Sequence, residues 1–283
     1  MMTKNAISTE DFTKFSEYFY RKTGILFEES KRYFVDKRLM DRIAATSSTN
    51  FSTYFSMLRF QASGAETQLL TNLMTVNETY FFREAYQFDC LVNSMLEEVV
   101  RYKQPGDTIR IWSIPSSSGE EPYSIVIYLL EHWAKISQYD VEIFASDIDT
   151  SILKAAETGV FTQRSVQNVS PEFLKKYFKK LPNSSWQISQ DVRDSVEFSR
   201  VNLMEPRDTR RFAHIDVIFC RNLLIYFDDV SRRTAVKTFY EAMSPGAFIC
   251  LGHSESMSRM ANLFSVRKFK DAIVYQKPLG GPA

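Results

Sequence analysis

Residues 109–131 read IRIWSIPSSSGEEPYSIVIYLLE, and the reading of this stretch decides the fold. A short apolar strand runs into a turn of small residues, and a long amphipathic helix follows. Strand, turn and helix in that order form the cradle in which open parallel sheets hold nucleotide-like ligands. Gly119 is the one glycine in the turn, so the repeated glycines of a dinucleotide fingerprint are missing.

Working outward, short β-rich runs alternate with helical patterns. Strands are expected at 108–113, 141–145, 196–200, 215–220 and 247–252, and helices at 120–135, 151–157 and 229–243. Such alternation implies a mostly parallel sheet covered by helices, with its ligand at the carboxyl ends of the strands. Residues 159–194 interrupt the rhythm: Ser170-Pro171 starts a helix expected to reach Lys179, a turn covers 181–185, and 186–188 form a short strand. This reads as a small inserted subdomain. At the far end, 264–269 and 272–276 form a hairpin around Lys270-Asp271 that adds antiparallel strands.

Upstream the pattern is helical. Ser8 and Asp11 form a capping box with Asp in place of Glu, Phe12, Phe15, Phe19 and Tyr20 recur at helical spacing, and Gly24 stops the run. Further helices are expected at 31–45, 51–60 and 66–74, and another after residue 83, running to Arg101. On the second of these, Lys31, Arg38 and Arg42 fall within about 40° of one another at 100° per residue. That ridge reads either as a solvated face balanced by Asp36 and Asp41 or as a docking surface for an acidic partner helix. Between the helical part and the sheet, TVNETYFFR at 75–83 reads equally as a pocket wall or as a packed linker.

With 44% apolar and 24% charged residues, the 283-residue chain has an ordinary globular composition, and its length allows one large domain or a small one joined to a larger one. A net charge of +1 supplies no bulk attraction to nucleic acid or an anionic membrane. Cys90, Cys220 and Cys250 are odd in number and set in apolar surroundings, as reduced thiols of a cytoplasmic protein would be. His132, His214 and His253 share no ligand spacing with them, so no metal site is expected. A polar N-terminus and apolar runs too short to span a bilayer give no sign of membrane insertion.

Asp147 ends the second strand 28 positions beyond Gly119 and reads as a ligand for ribose hydroxyls or, with Asp149, as a helix N-cap. Ser118 and Glu121 are expected to form a capping box at the start of the helix after the turn. Two carboxylates, Glu120 and Glu121, would repel a pyrophosphate there and suit a cation, which points from NAD toward the sulfonium of S-adenosylmethionine.

NETYFFRE at 77–84, SSSGEEPYSI at 116–125, FASDID at 144–149, VEFSRVNL at 196–203, IFCRNLLIYF at 218–227 and GHSE at 252–255, in this order, closely resemble the CheR-type methyltransferases, which esterify glutamates of bacterial chemotaxis receptors. The resemblance runs from about residue 11 to about residue 276. It implies an α/β fold: a Rossmann-like class I methyltransferase sheet with antiparallel C-terminal strands, a small inserted β-subdomain and an N-terminal all-α domain. The expected organisation is a helical receptor-docking domain at 1–75, a linker and helix at 76–104, and a catalytic domain at 105–283 with the insert at about 159–195.

By the same resemblance, Asn77, Thr79 and Arg83 contact S-adenosylmethionine, or its product S-adenosylhomocysteine, from the linker. Glu121 and Asp147 hold its amino-acid and ribose parts, and Asn202, Leu203, Arg221 and Asn222 line the adenine and methionyl side. Arg83 and Tyr226 are the catalytic candidates, facing the transferred methyl and the incoming glutamate. Lys31, Arg38 and Arg42 then belong to the surface that docks on the cytoplasmic helical domain of the chemoreceptor, and the ridge reads as that docking surface. The expected protein is a cytoplasmic monomer.

Two departures stand out. Ile114 and Pro115 occupy positions where the family carries small residues, which touches cofactor affinity, and the turn at 181–185 is shorter than in enzymes that tether to a receptor's C-terminal pentapeptide. The latter implies a pentapeptide-independent enzyme. A second reading, favoured less by the presence of Arg83, Asn222 and Tyr226, is a signalling subunit that holds the cofactor or its product without turnover. A nicotinamide oxidoreductase is disfavoured by the missing glycines and the paired glutamates.

Overall fold

The computed structural model describes residues 6–257, 263–270 and 272–280. These fall into two compact units: one up to Val76 together with Tyr226–Arg232, the other Asn77–Ile225 together with the described residues from Arg233 onward.

The first unit is helical. In α1 (Thr9–Thr23) the Ser8 hydroxyl accepts from the Asp11 N–H at 3.1 Å, and Gly24, at φ +74°, closes the helix by donating its N–H to the Tyr20 carbonyl. α2 (Arg32–Ala45), α3 (Phe51–Phe60) and α4 (Ala65–Met74) follow, α3 capped by Asn50. Phe12, Phe15 and Phe19 of α1 share one core with Val35 and Leu39, Tyr54 and Leu58, and Leu70 and Met74. Two contacts fasten 226–232 to this unit: Ile25 pairs with Phe227 in an isolated antiparallel bridge, and the Tyr20 hydroxyl donates to Asp228 Oδ2 at 2.9 Å.

The second unit opens with α5 (Tyr86–Cys90), which passes through a π-helical turn at Leu91–Met95 into α6 (Leu96–Val99). Then come β1 (Thr108–Ser113), α7 (Glu120–His132), β2 (Asp140–Asp147), α8 (Thr150–Thr158) and the short β3 (Val160–Phe161). α9 (Pro171–Tyr177), β4 (Phe178–Lys180), β5 (Trp186–Ile188), α10 (Gln190–Asp194), β6 (Val196–Arg200) and α11 (Pro206–Thr209) lead to β7 (Ile215–Cys220). α12 (Asp229–Ala242), β8 (Met243–Leu251), β9 (Ser265–Lys268) and β10 (Ile273–Gln276) complete the chain.

Seven strands form the main sheet in the order β6-β2-β1-β7-β8-β10-β9. The first five run parallel, and β10 and β9 add antiparallel edges, as expected from sequence. Every residue of β7 is buried, and its run is apolar but for Asp216, whose carboxylate pairs with Lys103 at 3.1 Å and accepts from the Arg110 N–H at 2.9 Å. Alternation along β1 sends Ile109 and Ile111 into the core shared with Phe88, Leu91 and Ile125, while Trp112 points to the other face, stacked on Phe212 at 4.1 Å and meeting Phe239 of α12 edge-on.

β3, β5 and β4 make a second, antiparallel sheet. The helix expected to reach Lys179 ends at Tyr177, because Phe178 and Lys180 pair with Ile188 and Trp186 across the hairpin. The expected turn at Lys270-Asp271 lies partly outside the described residues, since Asp271 is not among them. No helix of the described residues is long and apolar enough to cross a membrane, and no group of three or more His, Cys, Asp or Glu among them could hold a metal ion.

Candidate functional site

The loop after β1 is built to stay where it is. The Ser116 N–H reaches the Ser146 carbonyl at 2.8 Å, the Ser117 N–H reaches Asp147 Oδ2 at 2.9 Å, and the Gly119 N–H closes on Ser116 O at 3.0 Å. Ser117 sits at φ +48° and Gly119 at φ +96°. A Cβ at Gly119 would lie 2.9 Å from the Tyr123 ring and 3.1 Å from Ala156 Cβ, so this glycine serves both the turn and the approach of α8 to α7.

The expected capping box is not formed. Gly119, in the left-handed region, is the residue that precedes α7, and the Ser118 hydroxyl is taken by the Glu120 carboxylate at 2.6 Å. Glu121 therefore lies one position earlier in the helix than a capping glutamate. It points to Ser113 Oγ, which donates at 2.8 Å, and to the Arg221 guanidinium at 2.7 Å.

Arg221 is 5% exposed and joins three segments. Nη1 binds Glu121, Nη2 lies 3.2 Å from Glu84 Oε2, and Nη2 also donates to the Arg83 carbonyl at 2.6 Å. Burial pushes the Glu121 carboxyl upward against the opposing pull of Arg221, and burial likewise raises Glu120, which only Ser118 and neighbouring dipoles offset. Two carboxylates on one guanidinium leave this cluster with a surplus negative charge. Nearby, the buried hydroxyls of Ser116 and Ser117 have no hydrogen-bond partner. A cationic, hydroxyl-rich ligand such as S-adenosylmethionine fits both features; Glu121 would face its cationic end, and the serines its polar atoms.

At the end of β2, Asp147 is 3% exposed and uses both oxygens on backbone: Oδ2 on Ser117 and Oδ1 on the Asp149 N–H at 3.0 Å. Burial lifts its carboxyl to about 6. Of the two acids considered as the cap of α8, it is Asp149 that caps, accepting from Ser151 and Ile152, while its Oδ2 accepts from Asn77 Nδ2 at 2.9 Å. After β6, Val201 donates to the Asp147 carbonyl, and Asn202 is fixed by Asp208 through its N–H and by Met204 through Oδ1; Leu203 is buried beside it. Asn77, Glu121, Asp147, Asn202, Arg221 and Arg83 thus all belong to the ends of adjacent strands or to segments bonded to them.

Arg83 lies between two non-glycine residues in left-handed conformations, Phe82 at φ +56° and Glu84 at φ +58°. The Phe82 N–H donates to Ser124 Oγ, and Arg83 Nη1 donates to the Glu78 carbonyl with its guanidinium 5.7 Å from the Tyr80 ring centre. Thr79 is half-buried. Tyr226 is 39% exposed and belongs to the first unit, so the two catalytic candidates are in different units.

The docking candidates are unequal. Lys31 is exposed, but Arg38 is stacked 3.4 Å over the Phe34 ring centre and donates to Leu73 O at 2.5 Å. Arg42 is spent on a two-pronged pair with Glu66 at 2.8 Å, which Tyr54 also joins. Sequence reasoning assigned no role to Glu84 or Glu255, although both lie within quoted motifs; only their distant partners give them one.

Residues 77–273 match the family pattern described as "CheR methyltransferase, SAM binding domain", and residues 10–75 match "CheR methyltransferase, all-alpha domain". The chain is 54% identical over 280 residues, 99% of its length and 97% of the relative's, to chemotaxis protein methyltransferase 2 of Vibrio cholerae. It is 34% identical to the chemotaxis protein methyltransferase of Salmonella typhimurium, with 94% and 91% of the two chains covered. It is 35% identical to chemotaxis protein methyltransferase 2 of Pseudomonas aeruginosa, with 90% and 89% covered. Similarity of this extent, over both the helical and the sheet regions, means that the chain belongs to the CheR family of S-adenosylmethionine-dependent methyltransferases.

Proposed function

We propose that this methyltransferase esterifies glutamate side chains on the cytoplasmic helical domain of chemoreceptors, acting as a cytoplasmic monomer. The observation that carries the proposal is the Glu84–Arg221–Glu121 cluster, whose surplus negative charge beside the β1 loop suits a sulfonium cofactor and not a phosphate. Relatives named chemotaxis protein methyltransferases support the choice of receptor as substrate.

Bound S-adenosylmethionine supplies a methyl group on a cationic sulfur, open to in-line attack. An ionised glutamate is already the nucleophile, so the protein has no proton to remove. Its residues position and desolvate. Arg83 fixes the incoming carboxylate while leaving it ionised, and Tyr226 donates a hydrogen bond or lines the methyl path. Lys31 and the edges of Arg38 and Arg42 give the helical unit its docking face. In the inserted subdomain the turn is tight, with the Leu181 N–H on Ser185 O and the Ser184 N–H on Leu181 O, which supports recognition independent of a receptor-tail pentapeptide.

The test is base-released labelled methanol from receptor-bearing membranes incubated with the protein and methyl-labelled cofactor. Methanol above background is expected, and its absence in the presence of bound cofactor would overturn the assignment of substrate. Arg83→Ala should remove most turnover and Tyr226→Phe less; near-normal turnover in Arg83→Ala takes it out of the mechanism. Calorimetry with a receptor-tail pentapeptide should give no micromolar binding.

A further inference from the structure

The motif Gly252-His253-Ser254-Glu255 follows β8 directly. Its glutamate is where three backbone N–H groups converge. Oε2 accepts from Asn222 at 2.7 Å and from Gly252 at 2.8 Å, and Oε1 accepts from Leu224 at 2.7 Å. Two of these donors lie in the loop after β7, the strand that pairs with β8 in parallel, so a single carboxylate ties together two adjacent strand ends. These are the ends at which sheets of this kind hold their ligands.

The packing around these groups is close. A Cβ at Gly252 would sit 2.9 Å from Glu255 Oε2 and 3.0 Å from both the backbone N and the Nδ2 of Asn222. Asn222 itself is held at φ +58°, in the left-handed region that asparagine enters more readily than most other non-glycine residues. A carboxylate is the one side chain of this length that is purely an acceptor on both oxygens, and N–H groups bonded to it form charge-assisted contacts.

We propose that Glu255 is a positioning residue for the cofactor: by gathering the Asn222, Leu224 and Gly252 amides it sets the backbone of the loop after β7, and with it the aim of Arg221 and Asn222. The inference rests on the assignment of Arg221 and Asn222 to the cofactor side. Glu255→Gln tests it with little change of shape, since an amide turns an NH2 group toward at least one N–H donor. Losing an acceptor for a buried donor should weaken S-adenosylhomocysteine binding about tenfold by calorimetry.

Steady-state kinetics should show a raised KM for S-adenosylmethionine with the KM for receptor unchanged, and Glu255→Asp, which keeps two acceptor oxygens, should recover part of the affinity. Binding is measured on the whole 283-residue chain well below its melting temperature, with Asn222→Ala beside it. If Glu255→Gln melts earlier but binds S-adenosylhomocysteine as the wild type does while Asn222→Ala binds weakly, the inference is overturned and the site stands. If both variants bind like the wild type, the assignment of Asn222 fails and the inference falls with it.

Discussion

The loops after β1 and after β7 solve one problem in two ways. Each leaves the carboxyl end of a parallel strand, and each is held by a carboxylate that collects backbone N–H groups: Asp147 takes Ser117 and Asp149, and Glu255 takes Asn222, Leu224 and Gly252. The β7 loop has a second fastener, the Arg221 guanidinium bound to Glu84, Glu121 and the Arg83 carbonyl. Residues 114–119 of the β1 loop carry no charged side chain, and the carboxylate that Arg221 holds just beyond them belongs to α7. It relies on backbone conformation, on Gly119, and on an acid whose own ionisation is strained by burial. One loop is therefore fixed by pairing of opposite charges, and the other by geometry and a desolvated acceptor, so different perturbations should release them.

The largest effect is expected at Arg221. Arg221→Ala leaves Glu84 and Glu121 facing each other across a buried space, and breaking a buried pair from one side costs about 3–5 kcal/mol. For a chain of this size that corresponds to a fall in melting temperature of roughly 10 °C, readable by calorimetry or circular dichroism. A loss of under about 1 kcal/mol would mean that the charges are not the fastener and that the comparison fails.

Gly119→Ala comes next and attacks the other loop. The added methyl meets a Tyr123 ring that cannot retreat, because it is fully buried and its hydroxyl donates to Ala156 O, and the backbone stays at φ +96°. About 2 kcal/mol of stability should be lost, with S-adenosylhomocysteine affinity falling more than tenfold. Unchanged affinity would separate the loop from the cofactor.

Much of this was legible in the chain. Residues 108–113 and 215–220 were expected as strands and are β1 and β7; their apolar residues fill the interior of the sheet, while Arg110 and Asp216 pair with Glu142 and Lys103. α7 starts at Glu120 as expected, but its cap is Gly119 and not Ser118: Ser and Gly are both common before helices, and only the left-handed conformation of Gly119 decides between them. Phe178 and Lys179 read as the end of a helix because their partner strand lies beyond an intervening turn. A helical wheel aligned Arg42 with Lys31 and Arg38 but could not see Glu66, on another helix 24 positions away. Glu255 has no periodicity around it, and two amides from more than 30 positions away, with that of Gly252, give it meaning only after folding.

The β1 loop should carry a pH dependence of its own, through Asp147. Unfolded, the Asp147 carboxyl titrates near its ordinary value of 3.8; folded, it titrates at about 6. Between those values the folded chain binds more protons, so this group's contribution to stability falls as pH rises through the window, and the cost is fully present above about 6. The gap between the two values corresponds to about 3 kcal/mol, as an order of magnitude. Cofactor binding has the opposite sign, because the ionised carboxylate is the form that accepts from Ser117 and Asp149. S-adenosylhomocysteine affinity should weaken severalfold from about pH 7.5 to about pH 5.5, on either side of that folded value, and Asp147→Asn should be weak and flat across that range. A wild-type affinity that does not change over the interval removes Asp147 from the loop's design.

The smallest effect is also the most discriminating. The Ser116 hydroxyl is buried without a hydrogen-bond partner, and such a group costs stability in the free protein. Ser116→Ala should therefore leave the melting temperature of the free protein unchanged or raise it by about 1–2 °C, while weakening S-adenosylhomocysteine binding roughly three- to tenfold. The two readouts move in opposite directions only if the hydroxyl waits for a ligand atom. If both fall, the serine is packing, and the β1 loop is held by more than its backbone and Asp147; if neither moves, the cofactor does not reach the loop at this point.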